Sequence, residues 1–383
     1  MNKSYYLILD IGTTGIKALV FDSKENLITK SYEKLNKSIT KSRVEQDPYE
    51  ILNKSKKVLR QAIKQSKVKS SAFKSLGITN QRETIVAWNK ETGKVLYPAI
   101  VWEDSRTKKY TEALKRKSAL KIKGKTGLPI IPYFSASKMN WILKNVPSAK
   151  ILAQKKQLLF GTLDTWVLWN FDQNHPHLTD QTNAARTLLY NIHKLKWDDE
   201  LLKTFGLSKN QLPEVKPSHS KFGKLKKEVL GFPLEIQAMC GDQQSSTFAA
   251  GIKPGDTKIT FGTGTFIVQI LPRFILKPGF YTTLISGKTH PVYALEAKID
   301  GSGKQVTPVL NKPKKLEKVI TQLATKTANV VNRLPKRPKK IIVDGGISQN
   351  NLLIKLLGQK TKIKIERQKT FDGTALGIAR LLK

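Results

Sequence analysis

Short apolar runs alternate with segments of helical periodicity along most of the chain. Apolar runs at 5–10, 16–21 and 27–34 predict three strands joined by tight turns. After them, Asp47-Pro48 begins a segment whose apolar residues recur every three or four positions. This pattern is typical of an amphipathic helix with Asp as N-cap and Pro in its first turn. The alternation of strands and helices predicts an α/β fold.

The same alternation continues downstream, although residues 150–230 mix short helices and loops without a clear period. Because 383 residues are enough to bury two cores, we expect two domains, 1–248 and 249–383. The further expected strands are 75–79, 84–88, 99–102, 234–239, 257–270 (a hairpin), 340–343 and 363–365, and the further expected helices are 105–117, 135–145, 241–250, 316–334, 349–357 and 374–382.

Two of the predicted hairpins have turns rich in Gly and Thr, one at 12–15 and one at 262–265. Gly allows positive φ, so such a turn can direct successive backbone N–H groups at one point, and Thr hydroxyls add donors. A concave set of N–H groups binds anions. Two such turns are suited to the phosphates of one nucleotide, so a phosphotransferase is the first hypothesis.

The common phosphate-binding P-loop is absent. Gly-Lys-Thr occurs at 124–126 and 287–289, but Ala119 and Thr282 stand where a P-loop requires Gly. If the chain holds phosphates, the two hairpins hold them.

Several polar residues stand where predicted strands end. Asp10 precedes the first glycine turn, where a carboxylate can face Mg²⁺ beside nucleotide phosphates or simply cap the turn. Asp242 follows a strand in the same way and is a candidate general base, or an N-cap. Arg82-Glu83 can bind vicinal hydroxyls or form a surface ion pair. The aromatic residues Trp102 and Phe266 can contact the carbon face of a small polyol or belong to the core.

Composition narrows the class of protein. The formal net charge is +39, but lysine pairs recur along the whole length, so we interpret them as a solvated surface rather than a nucleic-acid site. No apolar stretch is long enough to predict a membrane span, and the N-terminus lacks the pattern of a signal peptide. The single Cys240 excludes an internal disulfide and suits a reducing cytoplasm.

Several motifs together resemble the FGGY carbohydrate kinases and, within that family, the glycerol kinases. They include DIGTTGIKALVFD, GITNQRETIVAWNKETGKVLYPAIVWEDSRT, PYFSASK, CGDQQSSTFAAG, TFGTGTF and VDGGISQNN, and the resemblance covers nearly all of 1–300 and then 340–383. It implies two actin-like (ribonuclease H-like) domains around a nucleotide cleft. It also implies ATP-dependent phosphorylation of glycerol, assisted by Mg²⁺. The glycerol-binding residues that it implies are Arg82, Glu83, Trp102, Tyr133, Asp242, Gln243 and Phe266, with Asp242 as the base. The nucleotide-binding residues that it implies are Thr13, Thr14, Gly15, Lys17, Thr263, Gly303, Gly346 and Asn350. Apart from the resemblance, we expect Asp10 to face the metal and the protein to be cytoplasmic, and a homo-oligomer is a further prediction.

The chain departs from the family pattern at identifiable places. Lys17 stands where Arg is usual, Gly15 where Ser is common, and Thr307 where Gln is usual. A glycine-rich GLGAPYWDPYARG-like segment is missing after Asp300, so we expect a shortened second domain. The alternatives that remain are a kinase for another small polyol or sugar, a non-catalytic glycerol-kinase-like binding protein, and a nucleic-acid-associated protein.

Overall fold

A computed structural model of the protein describes residues 4–262, 264–285, 291–368 and 372–383. These residues form two units. The first contains the chain up to Ser245 together with Thr374–Lys383, and the second contains Ser246–Ile285 and Val292–Gly373. The C-terminal segment, which the sequence placed in the second domain, therefore packs within the first unit.

The elements of the first unit alternate between strands and helices. Its strands are β1 (Tyr5–Ile11), β2 (Gly15–Asp22), β3 (Leu27–Lys34), β4 (Ser38–Thr40), β5 (Arg43–Gln46), β6 (Phe73–Asn80), β7 (Ile85–Asn89), β8 (Val95–Ile100), β9 (Leu158–Thr162), β10 (Leu178–Asp180), β11 (Tyr190–Asn191), β12 (Lys196–Trp197), β13 (Glu214–Lys216), β14 (His219–Leu225) and β15 (Leu234–Gly241). Its helices begin with α1 (Pro48–Ser66), α2 (Lys108–Thr126), α3 (Ser135–Asn145), α4 (Pro147–Gln154), α5 (Leu163–Phe171), α6 (Gln181–Ala184), α7 (Asp199–Phe205) and α8 (Lys227–Leu230).

Helix α9 (Asp242–Ala249) leads to the elements of the second unit. These are β16 (Thr257–Phe261), β17 (Thr265–Ile270), β18 (Tyr281–Ile285), β19 (Val292–Ile299), α10 (Ser302–Val306), α11 (Pro313–Val331), β20 (Lys340–Asp344), α12 (Asn351–Thr361) and β21 (Lys364–Arg367). The last helix, α13 (Gly373–Leu381), returns the chain to the first unit.

The main sheet of the first unit has the strand order β14-β15-β6-β1-β2-β3. Strand β1 pairs antiparallel with β2 and parallel with β6, and β15 continues the parallel part beside β6. This arrangement places the ends of β1, β6 and β15 at one edge, so the residues that follow these strands lie close together.

Buried side chains explain why these elements pack. The Asp47 carboxylate caps α1 by accepting the N–H of Tyr49 at 2.8 Å. The apolar face of α1 then packs into the core beneath the main sheet, where Ile51, Val58 and Leu59 are fully buried. Burial of each such side chain contributes roughly 1.5–3 kcal/mol before the entropy cost of folding.

Helix α13 also belongs to the first unit and approaches β6 closely. A Cβ on Gly77 would lie 2.1 Å from Cγ2 of Ile378, so this position has room only for Gly. Arg380 and Lys383 bind the Glu25 carboxylate at 2.9 and 3.1 Å. The C-terminal residues therefore complete the packing of the N-terminal sheet.

The second unit repeats the antiparallel-then-parallel arrangement. Its sheet has the order β18-β19-β17-β16-β20-β21, and β16 pairs antiparallel with β17 and parallel with β20. Residues from α11 and α12, such as Ile320 and Leu357, pack in the core with Ile259 and Val343 of the sheet. The shortened unit thus has as many strands in its sheet as the main sheet of the first unit.

In the described part of the chain, no helix is both long enough and apolar enough to cross a membrane.

Candidate active site

The first hairpin closes as the glycine-rich sequence predicts. The N–H of Gly12 donates to the carbonyl of Gly15 at 3.0 Å, which makes a tight turn between β1 and β2. Asp10 and Lys17 are directly opposite each other on these strands. Their charged groups are 3.9 Å apart, so a carboxylate and an ammonium both lie beside the turn.

A network of polar side chains holds this turn. The hydroxyl of Thr13 donates to Gln81 at 2.9 Å, and the indole N–H of Trp102 donates to the same hydroxyl at 2.9 Å. The amide of Gln81 donates to Gln46, whose own amide donates to the carbonyl of Thr13 at 2.9 Å. Gln46 and Gln81 were not among the predicted site residues. Their positions at the ends of β5 and β6 were the available signal.

Arg82 and Asp242, two of the predicted polyol residues, meet at the ends of β6 and β15. Arg82 Nε lies 3.1 Å from a carboxylate oxygen of Asp242, and Arg82 Nη1 donates to Gln244 at 3.3 Å. The side chains of Arg82 and Glu83 are only 2% and 1% exposed. An ion pair this deeply buried orients both groups, so the surface-pair alternative for Arg82-Glu83 is wrong.

A second guanidinium, that of Arg186, also holds Glu83. The buried Arg186 donates through Nε to a carboxylate oxygen of Glu83 at 2.6 Å. Glu83 has φ 62°, a value that is uncommon for a residue other than Gly. Such strain often occurs at functional sites. Arg186 was not predicted, because its partner lies 103 positions away in sequence.

Tyr133 and Trp102 form an aromatic corner. Their ring centroids are 5.5 Å apart with an angle of 65° between the ring planes, and the Arg186 guanidinium lies 5.8 Å from the centroid of the Tyr133 ring. The ammonium of Lys138 donates to the Tyr133 carbonyl at 2.6 Å. Burial lowers the pKa of Lys138 to about 7, although the charges of Glu83 and Asp104 oppose this shift. Lys138 is thus a further residue that positions the corner, and its place on helix α3 gave no sign of this role.

Asp242 begins α9 directly after β15, and its carboxylate accepts the N–H of Gln243 at 2.7 Å. Burial raises the pKa of Asp242 to about 6, the charges of Glu83 and Asp10 act in the same direction, and Arg82 opposes them. The side chain is nevertheless 31% exposed. A carboxylate that is accessible and has a pKa near neutrality is suited to general-base catalysis.

The second unit contains the other predicted nucleotide residues. The N–H of Gly262 donates to the carbonyl of Gly264 at 3.0 Å, and β16 and β17 continue on either side as a hairpin. Thr263, predicted as a phosphate ligand, lies outside the described residues. Phe266 is on β17, with the Lys298 ammonium 5.9 Å from its ring centroid, and its role at the polyol site stays a prediction.

A cavity of about 790 Å³ lies within the second unit. Gly303 and Gly346 line it together with Gly262 and Thr307, and its apolar wall is formed by Phe261, Val306, Pro308, Leu310 and Ile347. Asn350 is not among the lining residues. Its side chain instead caps α12 by accepting the N–H of Leu353 at 3.1 Å.

A buried ion pair supports the strands beneath this cavity. Lys258 is 2% exposed and its ammonium lies 2.8 Å from Asp344, whose carboxylate also accepts the Ser246 hydroxyl at 2.9 Å. Gly345 follows with φ 87°, and a Cβ there would lie 2.3 Å from the carbonyl oxygen of Phe261. The Lys258–Asp344 ion pair and Gly345 therefore hold the ends of β16 and β20 close together.

Comparison with known proteins assigns the family. Residues 5–249 match the N-terminal domain of the FGGY family of carbohydrate kinases, and residues 311–382 match its C-terminal domain. The chain belongs to the FGGY family of carbohydrate kinases.

Relatives within the FGGY family include named glycerol kinases. The glycerol kinase of Clostridium botulinum strain 657 is 34% identical over 99% of this chain and 89% of its own length. Glycerol kinase 2 of Thermotoga maritima is 41% identical over 79% of this chain and 62% of its own length. The first alignment runs over 445 positions, more than the 383 residues of this chain, so the relative has internal residues that this FGGY chain lacks.

Solved structures agree with the FGGY fold. The crystal structure of Plasmodium falciparum glycerol kinase with ADP has a TM-score of 0.91 and 27% identity, and the match covers 99% of this chain and 89% of that one. A gluconate kinase from Lactobacillus acidophilus has a TM-score of 0.87 at 18% identity over 99% of this chain and 89% of that one, which supports the fold alone. The expected α/β fold of the FGGY kinases is confirmed.

Proposed function

We propose that this FGGY chain transfers the γ-phosphoryl group of ATP to a terminal hydroxyl of glycerol, which yields glycerol 3-phosphate and ADP. The observation that carries the proposal is the buried group of Arg82, Glu83 and Arg186 with the accessible carboxylate of Asp242 against Arg82. The similarity to named glycerol kinases over nearly the full chain supports this choice of acceptor.

Asp242 is the proposed general base. Its carboxylate accepts the proton of the attacking hydroxyl while that oxygen bonds to the γ-phosphorus and the bond to the ADP oxygen breaks. A pKa of about 6 leaves Asp242 mostly ionised at neutral pH yet close enough to neutrality to accept a proton. Arg82 holds the carboxylate in place at 3.1 Å.

Arg82 and Glu83 are proposed to bind the remaining hydroxyls of the triol. Arg offers only donors and an ionised Glu only acceptors, so the pair complements hydroxyls that both donate and accept. Trp102 and Tyr133 offer an apolar surface to the carbon chain. Since the carboxylate of Glu83 is fixed by Arg186 at 2.6 Å, the pocket needs little reorganisation before it binds a polyol.

The turn at Gly12–Gly15, together with Thr13, Thr14 and Lys17, is proposed to bind phosphates in the first unit. Backbone N–H groups and an ammonium stabilise the negative charge that develops during transfer. In the second unit, the cavity at Gly303 and Gly346 is proposed to receive the nucleoside.

Magnesium fits this proposal as part of the nucleotide complex. Among the described residues, no cluster of three or more His, Cys, Asp or Glu residues is able to hold a metal ion alone. Mg²⁺ commonly keeps several waters and binds one or two carboxylates plus substrate phosphates, and Asp10 beside the phosphate turn is the carboxylate that fits. The ion would neutralise charge on the phosphates.

The experiment is a coupled assay of ADP release with glycerol, dihydroxyacetone and a pentulose as acceptors. We expect turnover to be fastest with glycerol, to require a divalent cation, and to be lost in Asp242→Asn. Asp199→Asn serves as a matched control because it makes the same chemical change at an exposed carboxylate at the start of α7. Glycerol-dependent ADP release no faster than in Asp242→Asn would reject the proposal. Faster turnover with the pentulose than with glycerol would make the pentulose the acceptor instead of glycerol.

Use of ATP and a single reduced cysteine, Cys240, are compatible with the cytoplasm as the site of this reaction. Assembly into homo-oligomers stays a prediction.

A further inference from the structure

Tyr32 belongs to the same row of the sheet as two predicted site residues. On β1, β2 and β3, Asp10 is opposite Lys17, and Lys17 is opposite Tyr32. Directly opposite residues of an antiparallel pair project from the same face of the sheet. The phenol side chain therefore stands on the face that carries the carboxylate and the ammonium beside the phosphate turn.

Tyr32 also occupies the space that a side chain at position 15 would need. A Cβ on Gly15 would lie 2.3 Å from Cε2 of the Tyr32 ring and 2.5 Å from its hydroxyl oxygen. Real Cβ atoms essentially never approach other atoms this closely. A side chain at position 15 and the present ring position thus exclude each other.

The phenol hydroxyl reaches the turn itself. It donates to the carbonyl of Thr14 at 3.3 Å, which is long for an O–H···O hydrogen bond and therefore weak. Tyr32 is 50% exposed, so its hydroxyl can exchange this partner for a ligand without leaving the turn. A phenol O–H is a good donor to an anionic oxygen, and hydrogen bonds to charged groups are the stronger kind.

We propose that Tyr32 is a nucleotide-binding residue whose hydroxyl donates to a phosphate oxygen of the nucleotide at the first hairpin. This inference rests on the proposed function, because it assigns a further ligand to the same phosphate site. Gly15 provides the space, Lys17 provides the neighbouring positive charge, and Tyr32 provides the hydroxyl donor that residue 15 lacks.

The first test is Tyr32→Phe in the full chain. This variant keeps the ring over Gly15 and removes only the hydroxyl. We expect the KM for ATP and the calorimetric Kd for ADP to rise about tenfold, the scale of one hydrogen bond to a charged group. The KM for glycerol and the melting temperature should stay unchanged. Tyr49→Phe is the matched control, since Tyr49 is also about half exposed, at 46%, and its hydroxyl accepts the N–H of Val95 on another part of the unit.

The second test exchanges the two positions. Gly15→Ser alone should weaken ADP binding, because the new side chain displaces the Tyr32 ring and its hydroxyl from the turn. Tyr32→Ala alone should weaken it because the donor is lost. The double variant Gly15→Ser/Tyr32→Ala should bind ADP more tightly than either single variant, because Ser then has both space and a hydroxyl.

The outcomes separate this inference from the proposed function. Unchanged KM for ATP and unchanged Kd for ADP in Tyr32→Phe would overturn the role of Tyr32 even if the wild-type protein is an active kinase. If the wild type shows no turnover but ADP binding weakens in Tyr32→Phe and recovers in the double variant, Tyr32 retains its role and only the acceptor reaction is rejected. If the wild type does not bind ADP, both proposals are rejected.

Discussion

The indole N–H of Trp102 donates to the hydroxyl of Thr13 at 2.9 Å. Trp102 belongs to the aromatic corner proposed to contact the polyol, and Thr13 belongs to the turn proposed to bind phosphate. One hydrogen bond therefore joins the acceptor side of the site to the donor side within the first unit. A substitution at either residue should therefore change the binding of both substrates.

Trp102→Phe should raise the KM values for glycerol and ATP together, each by about three- to tenfold, because one neutral hydrogen bond contributes about 0.5–1.5 kcal/mol. Steady-state kinetics with each substrate varied in turn measures this effect. Trp197→Phe is the control, since its indole donates to the carbonyl of Pro213 away from these residues in sequence. A rise in the glycerol KM alone would show that the bond does not couple the two sides.

The pH dependence of catalysis should report Asp242. Its pKa is raised to about 6, so the base is protonated below that pH and ionised above it. The value of kcat/KM for glycerol should therefore fall on the acid side with a midpoint near pH 6. Arg82 lowers this pKa, so Arg82→Met should shift the midpoint to higher pH. A midpoint near pH 4, the range of an ordinary Asp, would contradict the assignment.

Arg186→Met should destabilise the first unit by about 3–5 kcal/mol, because it leaves the carboxylate of Glu83 buried without the Arg186 guanidinium. Differential scanning calorimetry measures the loss, and kinetics should show a higher KM for glycerol. Adding Glu83→Gln should recover part of the stability without restoring the KM. Arg116→Met on the exposed side of α2 is the control. Equal melting temperatures of Arg186→Met and Arg116→Met would contradict this account.

Lys258→Met should destabilise the second unit on the same scale of about 3–5 kcal/mol, because Asp344 would remain buried without the ammonium. Lys364→Met makes the same substitution on β21 of this unit, where the side chain is 75% exposed, and should have little effect. Limited proteolysis of the two variants, with cleavage followed within residues 246–373, compares their stability. Equal protection would show that the buried pair contributes little.

The enzyme should discriminate weakly between purine nucleotides. Among the residues that line the cavity of the second unit, Lys304 and Thr307 are the polar side chains, and both are exposed. Strong rejection of a wrong base requires buried polar groups that pair with its edges. We expect kcat/KM for GTP to be within about tenfold of that for ATP. A preference of more than a thousandfold would mean that another group reads the base.

The sequence predicted the elements whose pattern is local. Strands β1 to β3, the Asp47 cap of α1 and both glycine turns agree with expectation, because spacing and turn chemistry determine them. Helix α2 was placed at 105–117 but runs over Lys108–Thr126, since its dense lysines leave little apolar periodicity to read. The start of α5 was not recognised, because nearly all its residues are buried. A helix that is apolar on every side lacks the alternation of apolar and polar faces by which an amphipathic helix is predicted.

The site residues also divide into those that a local pattern predicts and those that it does not. Asp10 lies near the end of β1, Arg82 follows shortly after β6 and Asp242 comes directly after β15, so their positions could be predicted from the sequence. Gln46 and Arg186 act through partners that only folding brings near, such as the contact between Arg186 and Glu83 over 103 positions. Lys138 instead binds the carbonyl of Tyr133 in the segment just before its own helix. Gln46 stands at the end of β5, which was an available signal. Lys138 and Arg186 carry no local signature, and they became visible only through their hydrogen bonds.

The return of Thr374–Lys383 to the first unit has a consequence for synthesis of the protein. Gly77 is synthesised long before Ile378, yet the two residues lie against each other in the folded unit. The main sheet of the first unit therefore lacks the contacts of its C-terminal segment until the second unit has been translated. A nascent chain that stalls before Thr374 is therefore expected to be a substrate for chaperones or proteases, even though the first unit has already been made up to Ser245.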